Sequence, residues 1–166
     1  MLGQVDRIVQ ERLRHLLQEL VERLSLATSE AVSLRRLTQD GRTLLTVAWY
    51  HPDPEVREAT GRVVSAPGSV EDSGMWRPVV GGRVVRYHMP AGSLPEQASA
   101  AQAVLLARYP LRAIMGAPVR AEDGVLLGGV ALIRFARDAP FSDADERILI
   151  AFAHQVSRLL ALVELD

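Results

Sequence analysis

The sequence predicts an α+β domain in which antiparallel strands are bracketed by an amphipathic helix at each end. Three observations predict it. Two Asp-Gly turns, Asp40-Gly41 and Asp123-Gly124, each separate a pair of β-type segments, and glycine reaches the positive φ of a tight hairpin without strain. Residues 125–135 read Val-Leu-Leu-Gly-Gly-Val-Ala-Leu-Ile-Arg-Phe, too apolar on both faces for an exposed strand, which fits a central strand covered on both sides. Apolar residues recur at three- and four-residue steps in the first and last twenty-odd positions.

Taken in order, residues 4–26 form the first helix, with Val5, Val9, Leu13, Leu16, Leu20 and Leu24 on one side and Arg7, Glu11, Arg14, Gln18 and Glu22 elsewhere on the wheel. Residues 30–38 and 43–50 make the first hairpin: Val32 and Leu34 share one face, and Leu45, Val47 and Trp49 share a face of the second strand. Pro52 and Pro54 end it, because proline cannot donate to a ladder. Residues 55–61 suit a short helix, followed by a brief strand or connector at 62–65. Ser69 with Asp72 suits a capping box opening a helix over 70–79 that Pro78 disrupts. Gly81-Gly82 is a turn, 83–88 a strand and 89–93 a loop. Ser93 with Glu96 caps an alanine-rich helix running to about Arg108, with Pro110 at its limit. Residues 112–119 and 125–135 flank the second Asp-Gly turn.

The last helix starts from Ser142, which with Asp145 three residues on makes a capping box and places carboxylates in the positive first turn. It is expected from about Asp143 to Leu165. Leu149, Phe152, Val156, Leu159 and Val163 are spaced 3, 4, 3, 4, a heptad-like seam, and Ile148, Ala151, Leu160 and Leu162 lie outside it. A helix apolar on two sides needs two partners: the sheet, and either the first helix or the same helices of a second subunit.

A chain of 166 residues, 48% hydrophobic and 23% charged, supports one folded domain and excludes a mainly disordered one. The net charge of −1 and the lack of a basic stripe interleaved with aromatics argue against nucleic acid as a partner. With no cysteine, disulfides, thiolate metal sites and thiol nucleophiles are excluded, which agrees with a cytoplasmic chain. No signal-peptide pattern is evident at the N-terminus, and no window approaches 18 consecutive apolar residues, so no membrane association is expected.

Ala117-Pro118-Val119, then Gly124-Val125-Leu126-Leu127-Gly128-Gly129-Val130, then Phe141-Ser142-Asp143-Ala144-Asp145 with Leu149, Ala153 and Gln155, resemble the C-terminal half of a GAF domain. That family comprises small-molecule sensor and dimerisation modules built on an antiparallel sheet much as PAS domains are. The resemblance extends from about the first helix to Ala161 and is weakest between Ser65 and Gln102. It implies one domain over 1–166: an N-terminal helix at 1–28, a sheet and pocket region at 29–141, and a C-terminal helix at 142–166. It further implies that both terminal helices cover one face of the sheet and that loops and helices enclose a pocket on the other.

The resemblance also narrows the chemistry. Methionine sulfoxide reductases of this type act through cysteines and bilin attachment needs a thiol, while cyclic-nucleotide-binding members carry an Asn-Lys-Phe-Asp-Glu signature. This chain has neither cysteine nor asparagine. Some members hold haem through histidine, which leaves His88 as the candidate axial ligand, with an ordinary strand-end histidine as the alternative. Asp143, Asp145 and Glu146 cluster, as do Glu122 and Asp123, but a helix start and a turn account for them, so no metal site is assigned. No nucleophile elbow frames any serine, and the expectation is a protein that is not an enzyme. The ligand pocket is expected around Met75, Trp76, Arg83, Tyr87, His88, Met89 and Tyr109, with Arg83 or Arg86 pairing an anionic group. The dimer or signalling surface is expected at Leu13, Leu16, Leu20, Phe152, Val156, Leu159 and Val163. The expected function is a regulatory domain in signal transduction that binds a small molecule, forms a homodimer and passes the change through its terminal helices to an output domain or partner. The alternative is a ligand-free dimerisation or interaction module of the same fold.

Overall fold

The computed structural model describes residues 2–71, 75–89, 104, 106–135 and 137–165. Helix α1 spans Leu2–Thr28 and is followed by strands β1 (Ala31–Leu37) and β2 (Thr43–Tyr50). Helix α2 (Pro54–Ser65), the two-residue strand β3 (Gly68–Ser69), the short helix α3 (Trp76–Val80) and strand β4 (Val85–His88) come next. Strands β5 (Ala113–Arg120) and β6 (Leu126–Arg134) lead into the last helix, α4 (Asp143–Ala161). The strands form one sheet in the order β3-β2-β1-β6-β5-β4, antiparallel throughout. The apolar run at 125–135 is the central strand β6, hydrogen-bonded to β1 on one side and β5 on the other. Both Asp-Gly turns close hairpins, with Gly41 at φ 73° and Gly124 at φ 86°.

Helices α1 and α4 lie on the same face of this sheet. Leu13, Leu17 and Val21 of α1 and Leu149, Phe152, Val156 and Leu160 of α4 join Val32, Leu34, Met115, Val119, Val130 and Leu132 of the strands in the main core. The 3.6-residue repeat brings these positions to one side of each helix, and burying that side is what orders the helices. Side chains then lock the pair together. Gln10 donates to the Leu162 carbonyl at 2.9 Å and accepts from the Glu164 amide at 2.9 Å, while Gln18 ties α1 to β2 by donating to the Trp49 carbonyl at 2.8 Å.

The start of α4 is capped as its sequence requires. Ser142 Oγ accepts from the Asp145 amide at 3.2 Å, and the Ser142 amide donates to Asp145 Oδ2 at 2.8 Å. Burial acts to raise the Asp145 carboxyl, but these bonds to Ser142 together with the nearby charges of Arg134 and Arg137 hold it below its usual 3.8. Its contribution to stability is therefore present above that value and lost as pH falls through the folded one. Ser142→Ala is expected to cost about 1 kcal/mol, read as a fall in melting temperature of about 2–4 °C.

Four expectations are corrected. Residues 62–65 continue α2 rather than forming a strand, because Asp53 caps the helix through the Glu55 amide and Pro54 pre-sets its first turn. Pro78 sits inside α3 without breaking it: at the third position its missing N–H falls among the donors that have no partner within a helix in any case. In the first hairpin the β1–β2 register shifts between Leu34 and Arg35, so that Val47 is an extra residue opposite them. This bulge turns Val47 toward the main core and Trp49 to the opposite face, so the two do not share a side. Finally α4 ends at Ala161, short of Leu165. The expected cap at Asp72 and the helix expected from Ser93 fall largely outside the described residues.

Candidate functional site

The second face of the sheet is crossed by α2 and α3, and it is where polar groups are set into an apolar wall. Trp76 of α3 is buried with Val79, Val70, Leu44 and Ala131. Its indole rests on the sheet at Gly129, where a Cβ would come within 2.6 Å of the ring, so only glycine permits this approach. Ile133 connects this cluster to a second one formed by Ala31, Trp49, Val56 of α2, Leu111 and Phe135.

Arg35 lies in the same region, with only 8% of its surface exposed. Its guanidinium is 5.1 Å from the Trp76 ring centroid, and its Nε donates to Ser33 Oγ across a long 3.4 Å. Gly68 leaves it room, since a Cβ there would lie 2.9 Å from Nη1. Burial draws the Arg35 pKa down to about 10, so the group is still a cation at neutral pH. The Trp49 indole N–H is buried and has no acceptor among the described residues. A desolvated cation, a hydroxyl and a spare donor among aromatic and aliphatic side chains are the kind of lining that orients a small anionic or polar ligand. Gly129→Ala is expected to cost about 1–3 kcal/mol by lifting Trp76 from the sheet, read as a lower urea midpoint at unchanged slope.

The residues expected to line a pocket are distributed over three places. Met75 packs with Trp76 on the α3 side, whereas Met89 and Tyr109 pack at the margin of the Trp49 cluster. Tyr109 also donates to Glu55 at 3.1 Å. Arg83, Tyr87 and His88 are exposed, and His88 Nε2 lies 2.8 Å from Asp138. Arg86 is engaged by α4, at 2.5 Å from Asp143 and 3.0 Å from Glu146, and these bonds raise its pKa. The buried arginine is thus Arg35, which the sequence reading did not single out. The only signal for it was its place two residues after Ser33 on the face opposite Val32 and Leu34.

On the helical side, Leu13, Phe152, Val156 and Val163 are buried within the chain, and Leu20 and Leu159 are half-buried. They belong to the intramolecular core rather than to a free seam. Of that set Leu16 is exposed, and it continues an outward row on α1 with Val5, Ile8 and Val9.

The chain from residue 7 to 161 matches the family model of the GAF domain. The chain belongs to the GAF family. Solved structures agree in fold. A type II free methionine-R-sulfoxide reductase from Thermoplasma acidophilum superposes with a TM-score of 0.65 at 18% identity, over 91% of this chain and 94% of that one. The GAF domain of an Acinetobacter phosphoenolpyruvate-protein phosphotransferase gives 0.64 at 19% identity, over 96% and 92%. A segment of a methyl-accepting chemotaxis protein gives 0.61 at 14% identity, over 91% and 90%. No curated protein matches the chain.

The reductase corrects one expectation. The chain was expected not to be an enzyme, yet a catalytic protein shares the fold of this GAF domain over nearly its whole length, so the fold carries no such exclusion. Among the described residues no group of three or more His, Asp or Glu converges as metal ligands, and no helix is long and apolar enough to cross a membrane.

Proposed function

We propose that this GAF domain is a sensory or regulatory domain in signal transduction that binds a small molecule on the α2/α3 face of its sheet. The observation that carries the proposal is the buried cationic Arg35, set beside Ser33 and 5.1 Å from the Trp76 ring centroid on the α2/α3 face. A ligand with an anionic or polar head would meet Arg35 there, and its body would compete with Trp76 for the surface at Gly129. The chemotaxis-protein neighbour supports the signalling role. Ligand binding alters α1 and α4 through the shared sheet, to the extent that the ligand prefers one helix arrangement over another. The outward row Val5, Ile8, Val9 and Leu16 on α1 supports a homodimer through the terminal helices, with an output domain or partner protein receiving the change.

Native mass spectrometry of the protein from its host tests this, followed by denaturation and identification of what is released. A stoichiometric small molecule that is lost in Arg35→Met is the expected result. A second reading, a ligand-free dimerisation or interaction module, is favoured by one observation: Trp76 already occupies the surface at Gly129. A dimer that releases nothing, with no thermal shift across a metabolite panel, would select that reading.

A further inference from the structure

A separate cleft of about 190 Å³ opens on the other face of the sheet, where α4 passes the β5 edge. Strand β4 pairs with β5 only from Ala113 to Gly116, so residues 117–120 have no strand beside them on that edge. Pro118 sits at the unpaired stretch, where its missing N–H takes nothing from the ladder. Ala117 and Ala153, both small and buried, line the cleft, and Val84, Pro118 and Ile150 complete the apolar walls. Arg120 and His154 stand at the rim.

Arg120 is held there by two turns at once. Its Nη1 donates to the Gly124 carbonyl at 3.2 Å, and its Nη2 occupies the place a Cβ would take at Gly82, a glycine at φ 90°. A side chain at Gly82 would drive the guanidinium away. No carboxylate pairs with Arg120 among the described residues, for Glu122 is bonded to Arg158 at 2.5 Å and Asp123 accepts from the Val125 amide. A fixed guanidinium without an acidic partner, at the mouth of an apolar cleft, is a receptor for an anion with an apolar body.

We propose that this cleft between α4 and the open edge of β5 binds a small carboxylate with an aromatic or short aliphatic body, its carboxylate on Arg120. Size sets the class: a cavity of about 150 Å³ is enough to hold benzene, so a single ring with its head group outside matches this cleft. The site is independent of the α2/α3 face, since the sheet lies between them. A ligand here would touch α4 directly at Ile150 and Ala153.

The test is a titration of the isotope-labelled protein with sodium benzoate, followed by methyl NMR. Saturable shifts are expected for Val84, Ala117, Ile150 and Ala153, with Val79 and Ala131 on the opposite face unmoved. Arg120→Gln should weaken binding about tenfold or more, with an unchanged melting temperature because Arg120 is exposed. Neutral benzamide should bind as weakly to the native protein as benzoate does to that variant. Absence of saturable shifts at the cleft would overturn the proposal, as would shifts confined to Val79 and Ala131. Equal binding of benzoate by Arg120→Gln would overturn it too.

Discussion

Arg134→Met is expected to destabilise the protein by about 3–5 kcal/mol, because it leaves a buried carboxylate without its partner. Arg134 Nε donates to Glu30 Oε1 at 2.9 Å, and both side chains are withdrawn from solvent, at 3% and 10% exposure. The same guanidinium donates to the carbonyls of Ala139 at 2.8 Å and Pro140 at 3.1 Å and covers the Phe141 ring at 4.3 Å. Glu30 is tied to the end of α1, its carbonyl accepting from Ser25 Oγ at 2.6 Å. One ion pair therefore joins the exit of α1 to the entry of α4 across the ends of β1 and β6.

The deficit should depend on pH with a definite sign. Burial lifts the Glu30 carboxyl above its usual 4.5, against the opposing pull of Arg134 and Arg137. A carboxyl raised in the folded state binds its proton more readily there. Its contribution to stability therefore falls as pH rises from the unfolded value through the folded one. Without Arg134 that shift grows, so the Arg134→Met deficit is largest at neutral pH and shrinks on acidification. Urea unfolding at neutral and mildly acidic pH reads both numbers. Glu30→Met with Arg134→Met together should recover most of the loss, since an apolar pair no longer carries a desolvated charge. A single-variant loss below about 1 kcal/mol would show that the pair is solvated.

The second large effect is Phe152→Glu, which should cost more than about 4 kcal/mol by combining the lost ring with a buried carboxylate. Phe152 is in the main core, whereas Leu16 is 46% exposed on the far side of α1. Leu16→Glu should accordingly change monomer stability by no more than about 0.5 kcal/mol while shifting the dimer proposed above toward monomer. Urea unfolding and light scattering on both variants separate the inward row of these helices from the outward one. Unchanged stability in Phe152→Glu would place that residue outside the core.

Much of the architecture was legible in local sequence. Asp40-Gly41 and Asp123-Gly124 mark hairpins because glycine at those positions adopts a φ that other residues resist. Residues 125–135 read as a central strand because no polar alternation exposes a face. Ser142 and Asp145 announce α4 because the cap is closed by residues three apart. The GAF resemblance rests on residues 117–119, 124–130 and 141–155, and the family model matches residues 7–161.

The site was less legible. In the sequence Arg83 and Arg86 are the arginines suited to a bidentate contact with an anionic group, but a contact sixty residues away engages Arg86 with Glu146, and Arg83 stays in solvent. Arg35 is buried instead, because α3 lays Trp76 over it and Gly68 and Gly129 let the backbone and the ring come close. On α4 a 3, 4, 3, 4 spacing names a helix face without naming what covers it, and the structure packs Leu149, Phe152 and Val156 of that face into the main core.

The sequence by itself determined the hairpins, the doubly covered central strand, the capped last helix and the absence of any thiol chemistry. These follow from backbone preference, side-chain periodicity and composition, all of which act over a few residues. Only the tertiary structure decided which arginine is desolvated, that a bulge at Val47 sends Trp49 to the opposite face, and that Phe152 and Val156 close the core against the sheet. Those outcomes depend on contacts between segments distant in the chain, where one missing Cβ or one extra strand residue selects the partner.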